Sequence, residues 1–470
     1  MLDNQEIMIY ERKATSAERF FTRSPYAIVT MVARIKGNVT EEMLKNAVDK
    51  VQQRHTLLSV RIKDDKDHTQ LFTSEGIQGI PIEIVSRKSA NDWINIHAEA
   101  SKIPFEFETH PAIRFILVQS LDVSELIIIC HHIICDGMSL AYLARDLMVH
   151  LGNPAREVEV LPVPPAIDLE NLPDDVSQSG LVKTVINRMN QKWAEESVFF
   201  DHEDYKILTQ TYWDHYNHKF FSIELSEAET SALIARCRNE NVTVNSALTV
   251  AFAGAQSIVE GEKPYHAALA VGVSLRDRLP NPVGEGMGYY AGAVELKFKY
   301  NHKRIFWENA RKFHKKIQQK FTNKNLFGDI LNWLYLEPTI FEAMNFKKLG
   351  GLVPSDSTRY EKLSSFSKKD DVVLRLLQRD NIESLETKHW GTAATNLGRL
   401  DFPKTYGPLE LDRLIMQPGG AVPLSNVNLV LGAVTCSGKL SLVVEYAEEA
   451  VDTSTMEKIK DKAMEFLLQD

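Results

Sequence analysis

Residues 127–139 read IIICHHIICDGMS, so that His131 and His132 follow an apolar run and Asp136-Gly137 follow the histidines. The run from 125 to 132 is rich in isoleucine, which is typical of a buried strand. After Gly137, leucine and alanine recur at helical spacing as far as Leu151. The stretch therefore predicts a strand, a turn that contains histidine and aspartate, and a helix.

The two histidines are predicted to have different surroundings. Successive side chains of a strand point to opposite faces, so His131 and His132 cannot both face one ligand if the strand continues through them. This spacing argues against a metal site formed by both histidines. It favours a site in which a single imidazole acts as a general base near neutral pH. Asp136 could cap the helix or pair with a distant arginine, and Gly137 would permit a left-handed or crowded backbone.

Two other interpretations of these residues stay open. The histidines could be structural residues at a strand end, satisfied by their neighbours and without a chemical role. Cys130 and His132 are two positions apart and would share a strand face, which suits a thiol nucleophile with its base. A cysteine inside an apolar run is, however, more often a small core residue.

Strands and helices alternate along the chain on both sides of this stretch. β-Branched runs mark the strands, and capping residues followed by helical apolar spacing mark the helices. The predicted elements are a strand at 26–36, a helix capped by Thr40, a strand from Leu57 to Ile62, a hairpin of 112–119 with 125–132, a strand from Lys219 to Leu225, a helix begun by the capping box at Ser226, a helix at about 244–257, a strand from Ala267 to Leu275, a hairpin of 427–436 with 439–446, and a final helix from Asp452.

The composition of the chain changes between about 153 and 185. The segment LPVPPAIDLENLPDDVSQSG collects four prolines with acidic residues and serines, which is typical of a linker. Alternating strands and helices on both sides of it favour an α/β protein made of two lobes. We therefore predict an N-terminal lobe at 1–160, a linker at 161–200 and a C-terminal lobe at 201–470.

The composition also argues against several classes of function. The 470 residues include 54 Lys and Arg against 63 Asp and Glu, and this net charge of -9 argues against general affinity for nucleic acid or anionic membranes. The four cysteines form neither a disulfide framework nor a CxxC pair, which favours a reducing compartment. Acidic residues stand where a signal peptide would be basic, and no apolar run reaches the ~20 residues of a membrane span. A cytoplasmic location is predicted.

Four segments in a fixed order resemble one known superfamily. The sequence HHIICDGMS at 131–139 is similar to the HHxxxDG pattern of condensation domains and related acyltransferases. RHTLL at 54–58 resembles an RHxxLR segment, with Ser59 where arginine is usual. SLRDRL at 274–279 with GMGYY at 286–290, and TNLGR at 395–399, resemble two segments of the second lobe. The resemblance runs from about residue 15 to 465, and the segments are most like those of alcohol and polyketide-associated acyltransferases.

The resemblance implies a chloramphenicol acetyltransferase-like fold of two lobes that form a pseudo-dimer with a tunnel between them. It implies that His132 is a general base, which takes a proton from an acceptor hydroxyl or amine as the acceptor attacks an acyl thioester. No covalent enzyme intermediate, metal or permanently bound cofactor is implied; coenzyme A or phosphopantetheine would carry the acyl group as co-substrate. Asp136 would pair with Arg276. Thr395 and Asn396 could donate hydrogen bonds to the oxyanion or contact substrate, although a turn role suits Asn396 equally well.

A basic segment lies between residues 297 and 324. It contains ten Lys and Arg residues and one acid, Glu308. Helical spacing of its apolar residues places four lysines on the opposite face, where they form a solvated surface or dock an acyl donor, namely coenzyme A or an acidic acyl- or peptidyl-carrier protein. These four are Lys312, Lys315, Lys316 and Lys320.

The expected activity is acyl transfer from a thioester to a small-molecule hydroxyl acceptor, in secondary metabolism. A stand-alone condensation-type enzyme that forms an amide is the alternative within the same class. A different class also stays open, because the same fold can serve as a non-catalytic interaction module. The intact HHxxxDG pattern argues against that module, since a protein without catalytic activity would not need to keep the histidine that acts as general base.

Overall fold

The structure is a computed structural model and describes residues 9–378, 390–420 and 427–469. The strands are β1 (Glu11–Lys13), β2 (Ile28–Lys36), β3 (Arg61–Asp64), β4 (Gln70–Thr73), β5 (Ile82–Ser86), β6 (Ile113–Gln119), β7 (Val123–His131), β8 (His218–Glu224), β9 (Ala268–Ser274), β10 (Ala291–Lys297), β11 (Trp390–Leu400), β12 (Thr405–Tyr406), β13 (Leu409–Gln417), β14 (Val427–Cys436) and β15 (Lys439–Ala447).

The helices are α1 (Ser16–Thr22), α2 (Glu41–Arg54), α3 (Asp92–Ala100), α4 (Gly137–Gly152), α5 (Gly180–Glu195), α6 (His202–His215), α7 (Glu227–Asn239), α8 (Val244–Val259), α9 (Phe306–Gln318), α10 (Asn323–Leu326), α11 (Gly328–Tyr335), α12 (Pro338–Leu349), α13 (Tyr360–Lys368), α14 (Val372–Gln378) and α15 (Thr453–Leu468).

Two six-stranded mixed sheets form the centres of two α/β lobes. The sheet of the first lobe has the order β12-β13-β2-β7-β6-β5, and that of the second lobe has the order β10-β9-β11-β14-β15-β8. The central strands β7 and β14 are buried along nearly their whole length, which explains their continuous apolar runs. A small sheet, β1-β4-β3, lies beside the first lobe. This two-lobed α/β architecture agrees with the predicted fold class.

Most of the predicted elements are confirmed, because their signals are local. Thr40 caps α2 by accepting a hydrogen bond from the Met43 N–H, and Ser226 forms a capping box with Glu229. β14 and β15 form the predicted hairpin, whose turn residues Ser437 and Gly438 have φ of 51° and 76°, as in a type I′ turn. The strand predicted from Leu57 to Ile62 is wrong, because Thr56–Ser59 form a 3₁₀ turn and β3 begins only at Arg61.

The structure differs from the predicted division into lobes at two places. Residues 180–195, inside the predicted linker, form α5, because Ser179 caps the helix and Trp193 buries its ring and donates a hydrogen bond to Thr339 Oγ1 at 2.8 Å. β13, inside the predicted C-terminal lobe, pairs antiparallel with β2 in the sheet of the first lobe. A chain segment that crosses from one lobe into the sheet of the other leaves no local signal in sequence.

Each lobe has its own apolar core, and α5, α6 and α12 to α14 supply residues to a third cluster. The C-terminal segment is also held closely against the first lobe at one point. A Cβ atom placed on Gly152, the last residue of α4, would lie 2.3 Å from the Tyr406 carbonyl oxygen, so that only glycine fits there. In the part of the chain that the structure describes, no single helix is long and apolar enough to cross a membrane. Helices α7 and α8 together have sufficient length and apolar composition, but they are bent by 94° relative to each other.

Candidate active site

The turn after β7 places His131 and His132 on different sides of the backbone. His131 is the last residue of β7, where it pairs with Ile28 of β2, and His132 begins the turn. The His132 N–H donates to the Ala27 carbonyl at 2.9 Å, which ties the turn to the segment before β2. The change from strand to turn directs one imidazole into the core of the first lobe and the other towards the second lobe.

His131 is a structural residue. Its side chain is fully buried and packs edge-on against the Phe107 ring at 5.0 Å between centroids. Nδ1 accepts a hydrogen bond from the Ile133 N–H, and Nε2 donates to the Ser24 carbonyl, both at 3.3 Å. Burial lowers the pKa of His131 to about 3, so the imidazole is neutral.

His132 has the tautomer that a general base requires. Its Nδ1 lies 3.1 Å from the Cys135 carbonyl oxygen, which can only accept, so the proton is on Nδ1 and the lone pair is on Nε2. The ring is held between Phe21 and Tyr289, at centroid distances of 5.2 Å and 5.5 Å. Burial lowers the pKa of His132, and the Cys135 carbonyl, the Asp136 carboxylate and the Pro418 carbonyl offset part of that effect. The imidazole is therefore an unprotonated base at neutral pH.

His132 lines a cavity of about 420 Å³ between the two lobes. The first lobe contributes aromatic side chains from α1 and the loop after it, and α12 contributes apolar and polar side chains from the opposite side. Arg19 of α1 and Glu342 of α12 form a buried ion pair at 2.6 Å that joins these two walls. The other lining residues are Phe20, Phe21, Ser24, Tyr26, Ala27, Phe341, Met344, Asn345, Lys348, Gly419 and Gly420.

Asp136 is the centre of a buried hydrogen-bond network that joins the lobes. Its Oδ1 accepts from the Ser139 N–H at 2.6 Å, which caps α4, and from Arg276 Nη2 at 3.0 Å. Its Oδ2 accepts from the Tyr290 N–H at 3.1 Å. Asp136 and Arg276 are each 3% exposed, and a buried pair of this kind is strongly destabilised when one partner is removed.

Arg276 also holds the glycine-rich loop of the second lobe. Its Nη1 donates to the carbonyls of Gly284 and Gly286, at 3.1 Å and 2.7 Å, while Nη2 also donates to Ser139 Oγ at 2.6 Å. Ser139 Oγ lies 2.8 Å from the Gly288 carbonyl and 3.2 Å from its N–H. Ser139 therefore belongs to the network, a role that we did not predict, although its place three residues after the cap Asp136 is a capping-box signal.

A second ion-pair cluster between the lobes was also missed. Arg54 donates to Asp146 Oδ2 at 2.8 Å and to Glu285 Oε2 at 3.0 Å, and Arg145 contacts both of these acids. His55 Nε2 lies 3.0 Å from Asp146 Oδ2. The RHTLL segment thus fastens the glycine-rich loop to α2 and α4. The ion pairs between Glu285 and the two arginines are visible only in the folded chain, because Glu285 is far from both arginines in sequence.

The structure places Thr395 and Asn396 on β11, next to β9 and β14. Asn396 Oδ1 accepts from the Gly398 N–H at 2.7 Å, where Gly398 has φ of 76° and the pairing with β14 shifts register. This is a turn role for the acceptor atom of Asn396, whereas its Nδ2 donors make no hydrogen bond within the described residues. Neither residue is among the described residues that line the His132 cavity.

Gly137 lies where this segment meets α4. A Cβ atom on Gly137 would lie 2.8 Å from Met416 Sδ and 3.0 Å from Leu397 Cδ2, so the position is crowded by β13 and by the residue after Asn396. Its φ is not in the left-handed region. Gly137 therefore allows close packing of the helix start against the second lobe.

The cysteines and acids near the turn do not provide another kind of centre. Cys130 is fully buried, and its Sγ donates to the His131 carbonyl at 3.7 Å rather than to His132. Burial raises the pKa of the Cys135 thiol well above its ordinary value, which makes it a poor nucleophile. Among residues 9–378, 390–420 and 427–469 there is no group of three or more His, Cys, Asp or Glu that could hold a metal ion.

The predicted basic surface lies on α9 and the residues after it. Phe306, Ala310, Phe313 and Ile317 are buried, and the four lysines on the other face are exposed. Within the described chain, Lys312, Lys315 and Lys320 have no acidic partner, whereas Arg311 is paired with Glu240. None of the four lysines lines the His132 cavity. The donor-docking surface of Lys312, Lys315, Lys316 and Lys320 stays a prediction.

Known proteins share both the sequence of the first lobe and the fold of the whole chain. The sequence model of the condensation domain matches residues 16–162. A linear gramicidin synthase of Brevibacillus parabrevis is 27% identical over 121 residues, which are 24% of this chain and 2% of that protein. A polyketide synthase-nonribosomal peptide synthetase of Aspergillus clavatus is 22% identical over 318 residues, 64% of this chain and 7% of that protein. The chain thus spans a small fraction of the curated relatives that it matches.

Solved structures match the chain over nearly its whole length. The trichothecene 15-O-acetyltransferase of Fusarium sporotrichioides superposes with a TM-score of 0.64 at 12% identity, over 98% of this chain and 95% of that chain. Polyketide synthase associated protein 5 of Mycobacterium tuberculosis superposes with a TM-score of 0.57 at 14% identity, over 97% of this chain and 98% of that chain. The sequence match covers the lobe that carries His132 and Asp136, and the fold match covers both lobes. Residues 16–162 therefore resemble the condensation domain in sequence, and the whole chain has the two-lobed chloramphenicol acetyltransferase-like fold.

Proposed function

We propose that the protein transfers an acyl group from a thioester to a hydroxyl acceptor, with His132 as general base. The observation that carries this proposal is the orientation of the imidazole. The Cys135 carbonyl holds the proton on Nδ1, so the lone pair is on Nε2, and His132 lines a cavity between the lobes. The match of residues 16–162 to the condensation domain and the fold shared with an acetyltransferase support a reaction of this class.

The reaction requires one base and no covalent enzyme intermediate. His132 Nε2 takes the proton of the acceptor hydroxyl as its oxygen attacks the thioester carbonyl carbon. The tetrahedral intermediate then collapses, the carbon–sulfur bond breaks, and the imidazolium returns its proton to the departing thiolate. Asp136 and Arg276 are positioning residues, because they hold the turn that carries His132 without contacting the cavity. The described lining of the His132 cavity does not include Thr395 or Asn396, so we assign no step to these two residues.

The acyl donor would be coenzyme A or the phosphopantetheine of a carrier protein, acting as a co-substrate. The curated relatives are named as peptide and polyketide synthetases, which supports a carrier-bound donor. The same names support the alternative, in which an amine replaces the hydroxyl and the product is an amide. Both reactions use His132 in the same way, so the alternatives differ only in the acceptor.

Product analysis tests this proposal. Purified protein is incubated with acetyl- to palmitoyl-coenzyme A, or with matching acyl-carrier proteins, and with pooled alcohols and amines, and products are identified by mass. We expect ester formation that depends on His132. Amide formation alone would assign the condensation reaction instead. Absence of any product with both donor types, from protein that is folded, would favour the interaction module.

The pH dependence of turnover follows from the lowered pKa of His132. Because burial lowers this pKa below the ordinary value of 6.5, the imidazole is already a neutral base at pH 6.5 and above. We expect kcat/KM to be level from about pH 6.5 to 8 and to fall by about tenfold per pH unit below the lowered pKa, as the base becomes protonated. If the fall in kcat/KM at acidic pH had its midpoint above pH 7.5, this assignment would be contradicted. Thioester hydrolysis without protein provides the baseline.

Charge reversal on α9 tests the donor-docking surface. We expect Lys315→Glu with Lys316→Glu to raise the KM of the acyl donor and to weaken the salt dependence of that KM, while kcat stays unchanged. The control is Lys458→Glu, which reverses a charge on a different helix, α15. If the KM of the acyl donor at low ionic strength equals that of the control variant, the lysines of α9 form only a solvated surface.

A further inference from the structure

A second chamber of about 590 Å³ lies between α3 of the first lobe and the segment from α6 to β8. Its wall includes Asn95, His97, Trp213, His218 and Gln417. It does not contain His132, and the mechanism above does not use any of these side chains. The chamber is large enough to take part of a substrate.

A narrow cavity of about 20 Å³, here called the neck, lies between this chamber and the His132 cavity and shares lining residues with both. The neck shares Tyr26, Gly419 and Gly420 with the lining of the His132 cavity. It also shares His97, Trp213 and Gln417, among others, with the lining of the chamber. A molecule that extends from the chamber to His132 therefore passes these three side chains.

Three buried polar atoms of the neck have no hydrogen-bond partner within the described chain. They are His97 Nδ1, Trp213 Nε1 and Gln417 Oε1. By contrast, His97 Nε2 lies 2.9 Å from Thr30 Oγ1 and 3.1 Å from Ser101 Oγ. His97 is 2% exposed, and unsatisfied polar atoms at such depth are rare and costly unless they serve a purpose. Three of them at one constriction point to a ligand.

The chemistry of the neck restricts what that ligand can be. The indole Nε1 of Trp213 can only donate a hydrogen bond, and Gln417 Oε1 can only accept one. Burial lowers the pKa of His97 to about 4, so this ring carries no charge. The nearby Glu445 carboxylate accepts from the Gly419 N–H at 3.1 Å and lies 3.6 Å from His218 Nδ1. The described residues of the neck thus offer a neutral donor and a neutral acceptor, and they include no Lys or Arg that would attract an anion.

We propose that this neck is a substrate subsite that binds a neutral group carrying both a hydrogen-bond acceptor and a donor, either an amide or a hydroxyl. Trp213 Nε1 donates to the acceptor of that group, and Gln417 Oε1 accepts from its donor. Esters and ethers lack the donor, and carboxylates lack the donor and carry a charge. The proposal rests on the proposed function only in identifying the bound molecule as a substrate.

Binding of four uncharged probes to the full chain tests the subsite without turnover. N-hexylacetamide and octan-1-ol have both a donor and an acceptor, whereas N-hexyl-N-methylacetamide and hexyl acetate have only an acceptor. We expect at least one of the first two to bind about tenfold more tightly than the last two, by calorimetry or ligand-observed NMR. Tighter binding of the amide identifies the group as an amide, and tighter binding of the alcohol identifies it as a hydroxyl.

Two conservative variants assign the discrimination to the neck. We expect Gln417→Leu to reduce the preference to less than about threefold, because it removes the acceptor for the donor of the probe. Trp213→Phe should instead weaken the binding of all four probes by a similar factor, because every probe carries an acceptor for the indole Nε1. Trp307→Phe is the matched control, since Trp307 belongs to the core of the second lobe. Its preference should equal that of the unchanged protein.

Equal affinity for all four probes would overturn the proposal, as would a preference that survives in Gln417→Leu or probe affinities that do not change in Trp213→Phe. The same titrations with His132→Ala separate this proposal from the proposed function, because removal of the base leaves the neck intact. A preference retained in His132→Ala, together with absence of turnover in the unchanged protein, would contradict acyl transfer while supporting the subsite.

Discussion

Replacing His132 by alanine should lower kcat by about 10²–10⁴-fold while the protein stays folded. The rate should fall because no other described residue of the cavity has a basic nitrogen that is fixed in this way. In His132, the hydrogen bond from Nδ1 to the Cys135 carbonyl fixes the ring and leaves the lone pair on Nε2. The loss in stability should be small, because the side chain makes one hydrogen bond and borders a cavity that water can enter. Initial rates with the best donor and acceptor, and thermal unfolding of the same samples, measure the two effects.

His131→Ala is the matched control for this experiment. His131 is fully buried against Phe107 and uses both ring nitrogens within the first lobe, so its removal should cost about 2–5 kcal/mol of unfolding free energy. The fraction that remains folded should keep a kcat within a few-fold of the unchanged protein. If His132→Ala kept its rate while His131→Ala lost it, the roles that we assign to the two histidines would be reversed.

Breaking the pair of Asp136 and Arg276 should destabilise the protein by about 3–5 kcal/mol for either single substitution to alanine. Each side chain is buried, and removal of one leaves an unpaired charge beside the helix start. Asp136→Ala also loses the cap of α4 and the hydrogen bond from the Tyr290 N–H. Turnover should fall as well, because the turn that holds His132 loses its anchor. Denaturant unfolding of both single variants and of the double variant measures the effect.

The double variant should cost clearly less than the sum of the two single variants, since it leaves no isolated charge. Glu285→Ala provides the control. Glu285 lies in the same loop and pairs with Arg54 and Arg145, but its side chain is 35% exposed and both arginines keep Asp146 as a partner, so we expect a loss of about 1 kcal/mol or less. Additive effects of Asp136→Ala and Arg276→Ala would show that the two residues do not act as a pair.

The conformation of the turn at 131–139 could be predicted because all of its determinants are neighbours in sequence. The apolar run makes β7, Asp136 caps α4 three residues before Ser139, and the alternation of a strand separates His131 from His132. The same applies to the hairpin at Ser437-Gly438, whose positive φ angles select those residues. Local conformation depends on a few adjacent residues, and their sequence pattern suffices to predict it.

Other parts of the site depend on contacts between residues far apart in sequence. Arg276 was predicted as a partner of Asp136 only by family resemblance, and nothing near residue 139 or 285 indicated that Ser139 and Glu285 would join the lobes. Asn396 was left open between two roles, and its hydrogen bond to Gly398 establishes the turn role for its acceptor oxygen. These arrangements follow from how two independently patterned lobes meet.

The α/β class, most of the helices and strands, and the strand, turn and helix that carry His132 could all be predicted from local sequence patterns. The folded arrangement was needed to show that β13 joins the sheet of the first lobe, that α5 lies within the predicted linker, and that Trp213 and Gln417 line a neck near the His132 cavity. The physical reason is that periodicity and capping are local properties of a chain. Strand partners, cavity walls and unsatisfied polar atoms, by contrast, depend on which distant surfaces are brought together when apolar area is buried.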